Sequence, residues 1–236
     1  MNNAINQEPI DALKSLSKSV KDLDSLNLVQ RKLFDTIEHT HTNIFIHGQA
    51  GTGKSTFIKY LKKHSKKSIR IVAPTAIAAL NIEGSTIHSM FTLSLSDFII
   101  QKDVLSTKRR KLKSILKKTD ILIIDEVSML RPDILDTIEA LCCQARGNFN
   151  LFGGLQIILI GDMCQLPPII KHEVCHIFKQ EYGTNEPYFF DAKSYQKGAF
   201  QKFELTDVYR QTDIELLNYL QNNHNLYMFF LIPKDY

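Results

Sequence analysis

The sequence predicts an α/β fold: a doubly wound, mostly parallel sheet with helices on both faces. Three observations carry this. Short, fully apolar, β-branched runs recur along the chain, SIRIVA (68–73), ILIID (121–125) and QIILIG (156–161), and such runs suit strands buried on both faces. Stretches of helical period lie between them, and alternating β and α elements favour a parallel sheet. A glycine-rich segment, GQAGTGKST (48–56), follows a fourth apolar run, NIFIH (43–47), and opens a helix-forming stretch.

Taken in order, residues 1–27 are polar, with Leu13, Leu16, Val20 and Leu23 at three- and four-residue spacing, which predicts a loosely amphipathic leader helix. A helix from about Val29 to His39 leads into the strand Asn43–His47, the glycine loop, and a helix from Gly53 to about Lys63. The clearest later helix is RPDILDTIEALCCQAR (131–146), in which Ile134, Leu135, Ile138 and Leu141 form one stripe and Pro132 suits the first turn. In such sheets ligands bind beyond the carboxyl ends of the strands, and three of the four predicted strands run straight into polar residues there.

The 236 residues are 44% hydrophobic and 23% charged, enough for a substantial core and ordinary for a globular protein. A net charge of +4 is compatible with nucleic acid without arguing for it. Cys142, Cys143, Cys164 and Cys175 show no CxxC pairing and no zinc-finger histidines, and the adjacent pair on the helix reads as buried thiols. The N-terminus lacks an apolar core of signal-peptide length and no apolar run approaches a membrane span. The expectation is a soluble protein of the cytoplasm, nucleoid-associated if bacterial, with no membrane partner.

The glycine loop is the most informative stretch. A helix N-terminus offers unpaired N–H groups and a partial positive charge, which suits a phosphate chain. Gly48, Gly51 and Gly53, with Ala50, Thr52 and Thr56 in the same turn, let successive N–H groups point inward. Lys54 can reach the β- and γ-phosphates, and the Ser55 hydroxyl can ligate Mg²⁺. The fold is thus of the P-loop NTPase type, binding a nucleoside triphosphate with Mg²⁺.

Two further strand ends add chemistry. In IIDEVSML, Asp125 ends a buried strand and can hold Mg²⁺ through its water shell, and Glu126 can orient and deprotonate an attacking water. Strand-end carboxylates are often plain caps, so the pair gains its meaning from the loop upstream. In LIGDMCQLPPI, Gly161 and Asp162 end another strand, and the Gln165 amide can donate to a γ-phosphate oxygen while two prolines stiffen the loop beyond. A rigid surface turn would read the same way.

In order, GQAGTGKST, APTAIAALNIEGSTIHSMF, LIIDEVSML, FGGLQIILIGDMCQLPPI and LTDVYRQTD resemble the Pif/RecD-like branch of superfamily-one DNA helicases over about residues 27–218. The resemblance implies a RecA-like ATPase lobe over 28–202, preceded by the leader and followed over 203–236 by the start of a second lobe. It implies ATP and Mg²⁺ as cofactors and single-stranded DNA as partner, with 5′-to-3′ unwinding. Gln30 sits where the family reads adenine, Arg210 aligns with its arginine finger, and the block from Pro74 and Thr75 to His88 corresponds to its contact with the DNA backbone. Phe91 either stacks on a base or is buried. Arg210 beside Asp207 or Asp213 also reads as an ion pair, and Gln30 as one more polar helix residue. The basic run KRRKLKSILKK (108–118) reads first as the solvated side of a helix whose Leu112, Ile115 and Leu116 face inward, and second as a grip on DNA phosphates.

The pattern departs from the family after Arg210, where the last stretch, NNHNLYMFFLIPKDY, exposes an apolar run. The expectation is a truncated or frameshifted end, with a naturally short single-lobe protein as the alternative. A monomer that binds nucleotide, hydrolyses it weakly and does not unwind DNA without a protein supplying the second lobe is then expected. A nucleotide-dependent binding module that acts through a partner and an inert truncated fragment are the other readings.

Overall fold

A computed structural model describes residues 26–99 and 109–207 of the chain. Arg210, most of the leader and most of the expected second-lobe segment lie outside the described residues. The apolar runs become the strands β1 (Ile44–His47), β2 (Ile69–Ala73), β4 (Ile121–Ile124) and β5 (Gln156–Gly161). Two more join them, β3 (Ser85–Thr86) and β6 (Gln201–Glu204), in one all-parallel sheet of order β3-β2-β4-β5-β1-β6.

Alternation along the buried strands shows why helices cover both faces. Leu122 and Ile124 of β4 join Ile157 and Leu159 of β5 in one apolar cluster, while Ile121, Ile123, Ile158 and Ile160 belong to the other. The first cluster is closed by α4 (Ile87–Phe91), α5 (Arg110–Lys117) and α6 (Pro132–Arg146). The second is closed by α1 (Leu28–His39), α2 (Lys54–His64) and α3 (Ala76–Asn81). The predicted stripe Ile134, Leu135, Ile138 and Leu141 is buried, Pro132 occupies the first turn of α6, and each side chain of that size contributes about 1.5–3 kcal/mol on burial. Cys142 is buried as read, whereas Cys143 is only partly buried and donates to Glu139 at 3.1 Å.

Sheet order positions the site. Because β5 lies between β1 and β4, the loop after β1, the turn after β5 and the turn after β4 emerge side by side at the carboxyl edge. The register His47↔Gly161 and Ile124↔Leu159 ends the three strands nearly level. Two short helices, α7 (Cys175–Tyr182) and α8 (Lys193–Lys197), complete the path to β6. The division expected between residues 202 and 203 falls inside β6, whose Phe203 and Glu204 pair with Ile46 and His47.

At the opposite edge, α6 returns to β5 through the turn Leu151–Gly154, in which Gly153 has φ of 63° and its carbonyl accepts from Arg146 Nε at 2.6 Å. A Cβ on Gly153 would lie 2.6 Å from the backbone oxygen of Cys142, which cannot swing aside as a side chain would. Gly153→Ala therefore combines a left-handed backbone with a clash against α6, and should destabilise the chain by about 2 kcal/mol. Denaturant melts of the variant beside wild type check this; an unchanged midpoint would mean that the turn is not packed as described.

Candidate functional site

The loop from Gly48 to Gly53 joins β1 to α2. Gly51 and Gly53 have φ of 87° and 84°, conformations that only glycine takes without strain, and Gly53 is the N-cap of α2 with no side-chain cap. That helix is anchored by Phe57, Ile58 and Leu61, all fully buried, and has no acid in its first turn but Lys62, Lys63 and His64 in its last. The distribution leaves the positive end of the helix open to an anion. Thr52 turns inward, its hydroxyl donating to Gln49 O at 2.9 Å, while Ala50, Ser55 and Thr56 are exposed to whatever enters.

Lys54 is buried, and its ammonium donates to the carbonyls of Gly48 at 2.6 Å and Gln49 at 2.9 Å. Burial lowers its pKa, while Asp162, Glu126 and Asp125, in that order, act to raise it. The strand ends thus surround one ammonium with three carboxylates. The sequence shows Asp162 as a polar end to a buried strand and gives no sign of its role. It is buried, accepts the Cys164 N–H at 3.0 Å, and lies 3.4 Å from Gln165 Nε2. It therefore holds the turn that carries the exposed Gln165.

Asp125 and Glu126 follow β4 directly. Desolvation, and then the charge of Glu126, push Asp125 up to about 6. Glu126 has φ of 53°, a left-handed conformation costly for a residue with a Cβ, and burial raises its pKa as well. Its Oε2 is buried without a hydrogen-bond partner. A buried carboxyl held above its ordinary range and an orphaned carboxylate oxygen are what a cation and a water would relieve, so Ser55 and Asp125 fit Mg²⁺. No cluster of three or more His, Cys, Asp or Glu side chains able to hold a metal exists among the described residues.

Gln30 is almost fully buried and forms a capping box: its backbone N–H donates to Asn27 Oδ1 at 2.7 Å, and its Oε1 accepts the Asn27 N–H at 3.2 Å. Capping fixes the carboxamide through its oxygen. Asn27 Nδ2 in turn donates to Asp207 Oδ2 at 2.7 Å, tying the start of α1 to the segment beyond β6.

On the other side of the edge, Pro74, Thr75, His88, Leu95, Arg131 and Ile169 border a groove of about 380 Å³. Thr75 N-caps α3 by accepting the Ala78 N–H at 3.2 Å, which leaves its hydroxyl hydrogen to donate elsewhere. Burial, then the charge of Arg131, lowers His88, so at neutral pH it offers a neutral N–H rather than a cation. Of the two readings of Phe91, the structure shows the buried one. Its ring is fully buried in the cluster beneath α4 and α6, closed in by α5, and is not available to a base. The five-residue helix α4 turns His88 and Phe91 to different surroundings.

The model of the PIF1-like helicase family matches residues 25–230. The ATP-dependent DNA helicase RRM3 of Saccharomyces cerevisiae is 33% identical over 222 residues, 87% of this chain but 30% of that protein. The PIF1 helicase of Xenopus laevis is 33% identical over 180 residues, 76% of this chain and 27% of its own length. Among solved structures, Bacteroides Pif1 in complex with ADP-AlF3 and single-stranded DNA superposes with a TM-score of 0.79 at 39% identity, over 85% of this chain and 46% of that one. The chain therefore spans less than a third of these curated relatives and less than half of the solved one. The shared architecture is the RecA-like P-loop NTPase fold that the sequence predicts.

The carboxyl of Asp125 gives a testable pH dependence. Its ordinary value of 3.8 is raised to about 6 in the fold, so between those values the folded chain holds a proton that the unfolded chain has lost. Stability from this group is therefore full below the lower value, and falls as pH rises toward the higher one. Above it the penalty is about 3 kcal/mol. In metal-free buffer, Asp125→Asn should raise stability by about that amount at pH 8 and leave it nearly unchanged at pH 3.5. Denaturant melts in a chelator at both values measure the difference; an equal effect at both would show that Asp125 is not desolvated.

Proposed function

The chain belongs to the PIF1-like helicase family, and from that premise we propose that it binds ATP with Mg²⁺ and hydrolyses it as the motor lobe of an ATP-dependent DNA helicase acting on single-stranded DNA. One observation carries the reading most directly: a buried lysine ammonium, donating to its own loop carbonyls, sits among three carboxylates at adjacent strand ends. The site has a phosphate cradle, a place for a divalent cation and a base in a single edge.

In this reading the N–H groups of residues 51–55 receive the phosphate chain, and Lys54 exchanges a carbonyl for a β- or γ-phosphate oxygen. Ser55, and Asp125 through the water shell of the cation, would hold Mg²⁺, which would supply neutralising charge beside those oxygens. The orphaned oxygen of Glu126 orients the attacking water and takes its proton, for which a carboxyl raised by burial is suited. Gln165, held by Asp162, senses the γ-phosphate, and the family resemblance gives Arg210 the part of an arginine finger for the same phosphate. Gln30 faces the base. Thr75 and His88 donate to the backbone of the single strand, with Pro74 shaping that wall of the groove. The 5′-to-3′ direction implied by the family resemblance belongs to the same proposal.

The Bacteroides Pif1 complex with a nucleotide analogue and single-stranded DNA supports both ligands, since that protein is 39% identical over the shared region. Steady-state ATP hydrolysis by the purified chain, with and without single-stranded DNA, tests the reading. Turnover should need Mg²⁺ and rise with DNA, and fall at least 100-fold in both Lys54→Ala and Glu126→Gln. Glu126→Gln should still bind nucleotide. Hydrolysis that survives Lys54→Ala would refute the assignment.

A further inference from the structure

The segment that leaves β6 touches both ends of the nucleotide site. Leu205 N donates to His47 O at 2.8 Å, and its carbonyl lies against the first residue of the phosphate loop: a Cβ on Gly48 would stand 2.5 Å from Leu205 O. Asp207 follows within about 7 Å of chain. Its Oδ2 accepts from Asn27 Nδ2 at 2.7 Å, at the N-terminus of α1. Residues 205–207 thus form a strap from the phosphate loop to the helix that carries Gln30. A groove of about 470 Å³ opens beside the Asn27–Asp207 bond, with Leu26, Leu28 and Val29 as apolar walls.

The orientations along this strap are fixed by donors that have only one kind of partner. The Gln30 N–H requires an oxygen and so sets Asn27 Oδ1, and the Asn27 N–H in the same way sets Gln30 Oε1. Asn27 Nδ2 then points outward and needs an acceptor, which Asp207 supplies. Gln30 is buried, Asn27 half-buried and Asp207 exposed, so the bonds run from the surface to a buried carboxamide. The capping box holds that carboxamide relative to α1. The bond to Asp207 holds the start of α1 relative to the phosphate loop.

That second constraint matters for a purine. Adenine and guanine share the acceptor N7 and differ beside it, where adenine carries an amino donor and guanine a carbonyl oxygen. A carboxamide with Nε2 toward N7 and Oε1 toward the neighbouring position accepts the adenine amino group and repels the guanine oxygen. The Asn27 N–H occupies one lone pair of Oε1 and leaves the second for that amino group. A carboxamide free to turn over would offer Nε2 to the guanine oxygen instead. A helix start free to move against the phosphate loop would lose the alignment altogether.

We propose that Asp207, acting through Asn27, holds the Gln30 carboxamide in register with the phosphate loop, so that the site selects adenine over guanine nucleotides. The proposal rests on the reading of Gln30 as the residue that meets the base. Asp207 is a positioning residue in it and does not touch the nucleotide. The test measures binding, apart from hydrolysis: displacement of a fluorescently labelled ATP from the full chain by ATP, GTP or tripolyphosphate, each with Mg²⁺. Wild type should prefer ATP to GTP by at least about tenfold.

That preference should narrow about three- to tenfold in Asp207→Ala, the effect of one hydrogen bond. It should narrow equally in Asn27→Ser, which keeps a capping hydroxyl but has no amide to reach Asp207. Tripolyphosphate, which has no base, should bind all of them alike. Asp207→Asn retains an acceptor and should retain the preference. A change in Asp207→Asn matched by a change on tripolyphosphate would mean that the carboxylate acts by charge on the phosphates, and would overturn the proposal. So would a preference lost in Gln30→Ala but intact in Asp207→Ala and Asn27→Ser, which leaves the base reading standing. A preference that survives Gln30→Ala would show that the base reading itself fails, and the proposal with it.

Discussion

The ammonium of Lys54 lies at the end of a sheet whose neighbouring strands all close on the same edge, and burying it sets the terms for the rest of the site. A desolvated cation must be hydrogen-bonded and balanced by charge. Two loop carbonyls supply the hydrogen bonds, and Asp162, Glu126 and Asp125 supply the balance. Both depend on strand order: with β5 between β1 and β4, three successive strand ends meet around one side chain. A different order of the same strands would scatter these groups along the edge. The bonds to Gly48 and Gln49 also keep the loop curled around the place where phosphate oxygens would replace a carbonyl.

The arrangement costs stability at the positions where chemistry is proposed. Asp125 is held well above its ordinary range, Glu126 has a left-handed backbone, and one oxygen of Glu126 is buried without a partner. Each is an unfavourable local state kept in place by apolar strands and the turn that follows β4. Strain gathered at one edge, with apolar central strands behind it, is a common distribution at functional sites, because a group already relaxed has little to gain from a ligand.

Much of the sheet is legible in the sequence because its central strands are buried on both faces and so read as continuous apolar runs. The phosphate loop is legible because its backbone demands glycine at fixed places. β6 is not, since QKFE at the sheet edge buries only Phe203 and leaves the other three residues exposed. β3, at two residues, is too short to show a period. Phe91 illustrates a different limit: an aromatic near a polar motif has the same sequence signature whether it faces a base or the core, and only the packing of α4 decides. For Gln30 the family resemblance implies a part in reading adenine, whereas its capping box with Asn27 depends on the local turn into α1. Asp162 carries the same strand-end signal as Asp125, and its hold on the Gln165 turn is visible only in three dimensions.

The most direct measurement is titration calorimetry of the purified chain with a slowly hydrolysed ATP analogue and Mg²⁺, comparing wild type with Lys54→Ala and Asp125→Asn. Binding to wild type that weakens at least about tenfold on loss of the ammonium, with Asp125→Asn removing only the Mg²⁺-dependent part, is the expected result. Equal affinity in wild type and Lys54→Ala would contradict the account, because the buried cation around which the strand ends converge would then have no part in holding phosphate.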